Sequence, residues 1–273
     1  MKKRRADERL YEDMNLESIA LARALIMEGR AFAGERKLKS PGELVAAGEV
    51  LRVRGELDRY VSRGAHKLRR ALEVFQIDVK DTICLDVGAS TGGFTDVLLR
   101  AGAKRVYAVD VGYNLLDYRL RTDARVTVME RTNARFLRPK DFPERPEFGA
   151  TDVSFISLKA VLPAALAALD GLERRFVALV KPQFEAPRED VGEKGVVRDP
   201  QVHARVLEEM FAFVPTLGWK CVGLDFSPIR GPEGNIEFLL YIVPEGSVGE
   251  ALHKQTIFDT IRRAYDKFIK MPK

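Results

Sequence analysis

The stretch that most constrains the fold is Ile83–Phe94, which reads ICLDVGASTGGF. Apolar residues and one acid, Asp86, run straight into a glycine-rich turn, and a helical pattern follows from Phe94 to Leu99. This is the pattern of a buried strand feeding a nucleotide-type loop in an open α/β sheet. Two common loop chemistries do not fit it. A phosphate-cradling G-x-x-x-x-G-K-[ST] loop needs Lys after its last glycine, and here Gly93 is followed by Phe94. A dinucleotide turn spaces its glycines G-x-G-x-x-G so that backbone can approach a pyrophosphate, whereas these stand at Gly88, Gly92 and Gly93. The next strand, RVYAVDVG, ends at Asp110, where a carboxylate can hold the two hydroxyls of a ribose. The glycines alone would also serve a plain strand–helix turn. With both acids they suit an adenosine ligand that lacks a pyrophosphate, and S-adenosylmethionine is the expected cofactor.

The 273 residues suffice for one large or two unequal domains with a real core. The net charge of +5 is unevenly spread. Residues 1–75 hold 17 Lys and Arg against 12 Asp and Glu, and the rest of the chain is balanced. A basic first quarter is what contact with a phosphate backbone would require, although a solvated basic face gives the same count. The two cysteines, Cys84 and Cys221, lie in apolar strand-like runs and read as small buried hydrophobes in a reducing compartment. His66, His203 and His253 are scattered with no partners at metal spacing, so no metal is expected. No apolar core follows the charged start MKKRRADERL, and the longest apolar run, Ala160–Leu169, is interrupted by Pro163. It is far short of the ~20 residues that span a bilayer. A soluble cytoplasmic protein is expected.

Residues 1–58 read as a small basic α+β module. Leu16–Glu28 has helical spacing with Gly29 as its stop, and a last short strand is expected over Glu49–Arg54. With Arg23, Arg30, Arg36, Lys37 and Lys39 available, this stretch resembles the small RNA-binding S-four domain, although its turn is Ala33-Gly34 where members usually carry Asn-Gly. Such charges would contact phosphates without reading bases. A linker over 59–63 leads into a second domain over 64–273. Arg63 and Arg69 join the candidate RNA contacts, although Lys67, Arg69 and Arg70 equally suit the polar face of the amphipathic helix Lys67–Phe75.

The second domain reads as seven strands: Ile83–Val87, Arg105–Val111, Val126–Met129, Ala150–Phe155, Phe176–Lys181, Lys220–Phe226 and Ile236–Val243. Helices are expected over Phe94–Ala101, Val202–Val214 and Ser247–Lys270, with a glycine-bearing loop over Glu185–Asp199. The short connection Ser227–Asn235 lets the last two strands pair only antiparallel. A Rossmann-like sheet of seven strands, the last antiparallel, is the arrangement of S-adenosylmethionine-dependent methyltransferases. Asn133, after the third strand, is placed to meet an adenine edge.

Open α/β sheets put their sites at strand ends. Those ends carry Asp152, Lys181 and Glu237, and the helix before the first strand carries Lys67. Each stands beside an apolar element, where a charge is costly unless paired. Four ordinary sheet-edge ion-pair partners would look the same one at a time, but two lysines and two acids around one pocket would satisfy each other. The K-D-K-E pattern is that of FtsJ-type ribose 2′-O-methyltransferases. In order and spacing, RYVSRGAHKL, LDVGASTGGF, TDVSFISL, LVKPQFEA and SPIRGPEGNIEFLLYI resemble the TlyA family. That family joins an S-four domain to an FtsJ-like domain and methylates cytidine 2′-hydroxyls in ribosomal RNA of the small and large subunits. The resemblance implies Lys67, Asp152, Lys181 and Glu237 as a catalytic tetrad. It places Gly88, Ser90, Gly92, Phe94, Asp110 and Asn133 at the cofactor, beside Asp86 and Asp152.

Three other functions fit the sequence less well. A lytic protein, which the haemolysin name of TlyA relatives suggests, needs spanning helices or a barrel of alternating strands, and neither pattern is present. A non-catalytic RNA-binding factor would have no use for the tetrad. A nicotinamide dehydrogenase is disfavoured by the glycine spacing.

Overall fold

The computed structural model describes residues 3–14, 16, 18–54 and 60–269. The chain divides into two compact units, Met1–Arg59 and Tyr60–Lys273. Arg59, where the expected linker starts, and Lys270, where the last helix was expected to end, lie outside the described residues.

The first unit opens with β1 (Lys3–Arg5), followed by α1 (Ala6–Asp13), α2 (Ile19–Met27), β2 (Ala31–Ala33), β3 (Arg36–Lys37), β4 (Leu44–Ala46) and β5 (Leu51–Val53). Among the described residues, β2 pairs antiparallel with both β3 and β5, and β1 pairs antiparallel with β4. Leu10, Leu25, Ile26, Leu38 and Val45 form its core. The sequence reading has no helix over α1. Six of its eight residues, ADERLYED, are charged or aromatic, so only Ala6 and Leu10 mark its buried face. Asp7 is fully buried in its first turn. Hydrogen bonds from Arg5, helped by Arg23, outweigh burial and hold its carboxyl at about 2.

The second unit begins with α3 (Ala65–Val74), then β6 (Ile83–Val87), α4 (Gly93–Arg100), β7 (Arg105–Val109), α5 (Tyr118–Arg121) and β8 (Val126–Met129). It continues with β9 (Phe148–Thr151), α6 (Leu158–Ala168), β10 (Arg175–Val180), α7 (Pro182–Glu185), α8 (Pro200–Phe213), β11 (Trp219–Phe226), β12 (Phe238–Pro244) and α9 (Lys254–Phe268). Among the described residues, seven strands form one sheet in the order β11-β12-β10-β9-β6-β7-β8. The pairings from β10 through β8 are parallel, and β12 inserts antiparallel between β10 and β11. The order reverses at β6, so the switch point falls beside the Gly88–Gly93 turn, where open α/β sheets bind ligands. Two cores cover the faces, one led by Leu85, Leu162, Phe176 and Phe238, the other by Leu68, Leu98, Val106 and Leu239.

Several element ends differ from those the sequence suggests, and the differences fall at the site. The fourth strand stops at Thr151 and not at Phe155, because the chain turns out of the sheet and Phe155 adopts a left-handed φ of 63°. The fifth stops at Val180, leaving Lys181 as the cap of α7, and the seventh begins at Phe238, one residue after Glu237. The closing helix starts at Lys254, not Ser247, since Ser247–His253 is irregular and crosses back to β11 through the Leu252 N–H bond to the Cys221 carbonyl.

Candidate active site

The turn after β6 is bent by two backbone N–H groups, those of Gly88 and Ala89, which both donate to the Val109 carbonyl. Gly88 has a φ of 84°, and a Cβ there would sit 3.0 Å from the Asp152 carbonyl oxygen. Only glycine lets the turn lie this close to the chain that carries Asp152. Gly92 has a φ of 97°, and a Cβ there would collide with Leu120 at 2.3 Å. It shapes the turn without lining the hollow.

Asp110 just follows β7 and is already anchored. Its Oδ2 accepts the Ser90 N–H at 2.8 Å and its Oδ1 the Gly112 N–H at 2.7 Å. Each oxygen keeps a lone pair for a ribose hydroxyl. Asn133 caps the short turn after β8, its side-chain oxygen accepting the Arg135 N–H at 3.1 Å, which leaves the amide NH2 as its free donor. Asp86 lies beneath the turn, not in contact with the hollow. Burial pushes its carboxyl up to about 7 against the hydrogen bond from Thr95 at 2.6 Å, and its second oxygen has no partner. Asp86 and Gly92, both expected at the cofactor, do not line the hollow.

The hollow has two lobes that share Gly88, Ser90, Asp152 and Ser154. The larger, about 470 Å³, is apolar, with Val161 and Ile156 on its walls and Asp110 and Asn133 at its rim. The smaller, about 220 Å³, is polar and receives Lys67, Lys181 and Phe94. An adenosine fits the first lobe and a polar amino-acid tail the second, so the residues present suit S-adenosylmethionine. Among the described residues no cluster of three His, Cys, Asp or Glu is arranged to hold a metal.

Four charged side chains meet at the smaller lobe in one chain of contacts. Lys67 Nζ, from α3, lies 2.7 Å from Glu237 Oε2 and 3.4 Å from Asp152 Oδ2. Lys181 Nζ lies 2.6 Å from Asp152 Oδ1. Glu237 is fully buried and both lysines are 6% exposed, while Asp152 is the partly open member. Burial pulls the Lys67 ammonium down, but Asp152 and then Glu237 outweigh it and hold it above the ordinary lysine value. Burial pushes the Glu237 carboxyl up, and Lys67 offsets this only in part.

Two groups absent from the sequence reading complete the site. Lys181 Nζ donates to Ser154 Oγ at 2.7 Å, so the serine aims the ammonium at the shared wall of the two lobes. Glu185 accepts the Ser157 hydroxyl at 2.6 Å and the Leu158 N–H at 2.7 Å, tying the turn that holds Lys181 to the loop that holds Asp152. Phe155, at the rim of the larger lobe, is 90% exposed and held in its left-handed conformation against Phe184 at 5.1 Å. Ser154→Ala is expected to lower kcat about tenfold with the melting temperature unchanged, since it removes one aiming hydrogen bond from an ammonium that keeps its carboxylate. Single-turnover rates beside thermal melts check this.

The candidate RNA contacts of the first unit are mostly ion-paired. Arg23 meets Asp7 at 2.8 Å, Arg30 meets Glu28 at 3.4 Å, and Arg36 bonds Glu43 and, at 3.1 Å, Glu49. Lys37 and Lys39 meet no carboxylate among the described residues. In the second unit, Arg63 donates to the Arg230 carbonyl at 2.8 Å and Arg69 meets Glu73 at 3.4 Å.

The profile of the FtsJ-like methyltransferase family matches residues 60–243. The Bacillus subtilis (strain 168) protein YqxC, which carries a provisional rRNA methyltransferase name, is 50% identical over 97% of this chain and 95% of its own. The 16S/23S rRNA (cytidine-2′-O)-methyltransferase TlyA of Mycobacterium tuberculosis is 48% identical over 75% of each chain. A solved structure from Streptococcus thermophilus, provisionally named a hemolysin, is similar with a TM-score of 0.78 and 46% identity, over 99% of this chain and 98% of that one. With a glycine-lined adenosine hollow beside the Lys67–Asp152–Lys181–Glu237 cluster, and with these relatives, the chain belongs to the FtsJ-like methyltransferase family, among the TlyA proteins.

Proposed function

We propose that this protein transfers a methyl group from S-adenosylmethionine to the 2′-hydroxyl of a cytidine in ribosomal RNA, and that Lys67, Asp152, Lys181 and Glu237 are the groups that do so. The observation that carries the assignment is the Asp152–Lys181 contact of 2.6 Å at the wall shared by the two lobes. When bound, the cofactor supplies a methyl carbon on a positively charged sulfur, which keeps the electron pair of the breaking bond. The protein's remaining work is to position a ribose oxygen and to remove its proton.

Lys181 is the group nearest the wall that is fixed on two sides, by Asp152 and Ser154. It is placed to accept or steer the proton of the attacking hydroxyl, and Asp152 orients it and balances its charge. Lys67 and Glu237 hold the far side of Asp152. Asp110 would bind the ribose of the cofactor, Asn133 its adenine edge, and the backbone at Gly88 and Ser90 its tail, with Phe94 packed behind. Phe155, an aromatic face held out at the rim, offers a surface on which a flipped base can stack. The first unit, with Lys37 and Lys39 uncommitted to carboxylates, would position the RNA through its phosphates.

The lytic reading gains nothing from the structure, since no described helix is long and apolar enough to cross a membrane. Incubation of purified small and large ribosomal subunits with the protein and methyl-labelled cofactor, followed by mapping of 2′-O-methyl positions, tests the proposal. Label is expected on a cytidine ribose. Label on bases, or none on either subunit, would overturn it.

A further inference from the structure

Most surface arginines of the second unit carry their own carboxylate, as in Arg119–Asp117, Arg125–Asp123 and Arg138–Asp141. In one region a single carboxylate serves two of them. Asp225, buried on β11, is shared by Arg70 at 2.9 Å and Arg263 at 3.1 Å. From there the cations continue along α9, where the exposed Asp266 stands between Arg263 and Lys267. Lys267 lies 5.5 Å from the Phe226 ring and 5.2 Å from the Phe268 ring, and Arg230 lies 5.3 Å from Phe268. Arg63 closes the row through the Arg230 carbonyl at 2.8 Å. Five cations thus stand against one buried carboxylate, Asp225, and two exposed acids, Asp266 on α9 and Glu233 beside Arg230.

The row begins at the mouth of the site. Arg63 precedes Gly64, whose Cβ position is 3.7 Å from Asp152 Oδ2, and Arg230 precedes Gly231, whose Cβ position falls 2.2 Å from Glu237 Oε1. We propose that this seam, from Arg63 and Arg230 along α9 to Lys267 and Arg263, is an RNA-contact surface of the methyltransferase unit that takes the phosphodiester backbone flanking the target nucleotide. This rests on the ribosomal RNA reading above. Clustered cations that outnumber their acids and lead out of the site match a strand whose repeating charge is one phosphate per nucleotide. An anionic membrane is the poorer match: α9 turns Ile257, Ile261 and Ala264 into the core, and its exposed apolar side chains, Phe258 and Ile269, stand at opposite ends without forming a continuous face for insertion.

The test is salt-dependent binding of the intact protein to purified large ribosomal subunits, comparing Arg263→Gln/Lys267→Gln with Lys254→Gln, a control at the other end of the same helix. Each lost phosphate contact lowers the slope of log affinity against log salt by roughly 0.7 to 0.9. The double variant is expected to lose about 1.4 to 1.8 of that slope and on the order of tenfold in affinity at low salt, and the control neither. Lys267→Gln alone breaks no ion pair and should lose about half as much slope, so the test survives if the double variant folds poorly. Wild-type slopes in both variants would overturn the seam. So would loss of binding to phosphatidylglycerol vesicles with subunit binding unchanged. Because the readout is binding, the expected slopes together with no methyl transfer would support the seam while overturning the enzymatic reading.

Discussion

Lys181→Met is expected to reduce methyl transfer about a thousandfold while leaving the affinity for S-adenosylmethionine within a factor of two or so, by the usual size of general-base effects. The two halves of this expectation come from different contacts. Lys181 is in direct contact with both Asp152 and Ser154, at 2.6 and 2.7 Å, so its loss removes the group proposed to accept or steer the hydroxyl proton. The cofactor lobe keeps most of its groups in place, because Gly88, Ser90, Asp110 and Asn133 make no contact with this ammonium and only Asp152 and Ser154 of its lining do. Asp152 does not become an isolated charge, since Lys67 remains 3.4 Å away, and methionine fills nearly the same volume without a charge. The measurement is a pair: single-turnover transfer to ribosomal subunits, and cofactor binding by calorimetry. Near-normal transfer would remove Lys181 from the chemistry. Lost cofactor binding would make it a cofactor ligand instead.

The sheet was legible because its strands are nearly continuous apolar runs, as in ICLDV, RVYAV and FVALV, and because the Gly88–Gly93 turn fits few chemistries. What the sequence blurred were the strand ends. Asp152, Lys181 and Glu237 stand where the backbone has just left the ladder, and hydrophobic periodicity carries no signal for the residue at which hydrogen bonding stops. The support of the site was less visible still. Ser154 finds Lys181 across 27 residues, and Glu185 caps a helix that begins 27 residues before it, pairings that the parallel alignment of β9 and β10 creates. The charge count was legible, but its placement was not. The basic first quarter ties most of its arginines to its own acids, whereas the Arg63–Lys267 seam joins cations of that quarter to others of the balanced remainder, from segments more than 150 residues apart.

Removing the other lysine should act on the fold more than on the chemistry. Lys67→Met leaves Glu237 fully buried without the ammonium that sits 2.7 Å from it, and breaking a buried pair by deleting one partner costs about 3–5 kcal/mol. The loss should depend on pH in a definite direction. Burial already raises the Glu237 carboxyl above the ordinary 4.5, with Lys67 opposing. Of the other charges facing it, Asp152 raises it further and Lys181 lowers it. Without Lys67 the folded value climbs higher, so between the unfolded and the folded value the native protein binds a proton that the unfolded chain does not. Stability then falls as pH rises through the folded value and is recovered toward the unfolded one. Lys67 in the wild type is held above the ordinary lysine value and stays charged across this range, so it contributes no slope there. Urea unfolding at about pH 5 and pH 8 should therefore show a variant deficit that is large at the higher pH and shrinks at the lower. A deficit that grew on acidification, or none at either pH, would show that the Lys67–Glu237 pair does not carry its charges in the folded protein.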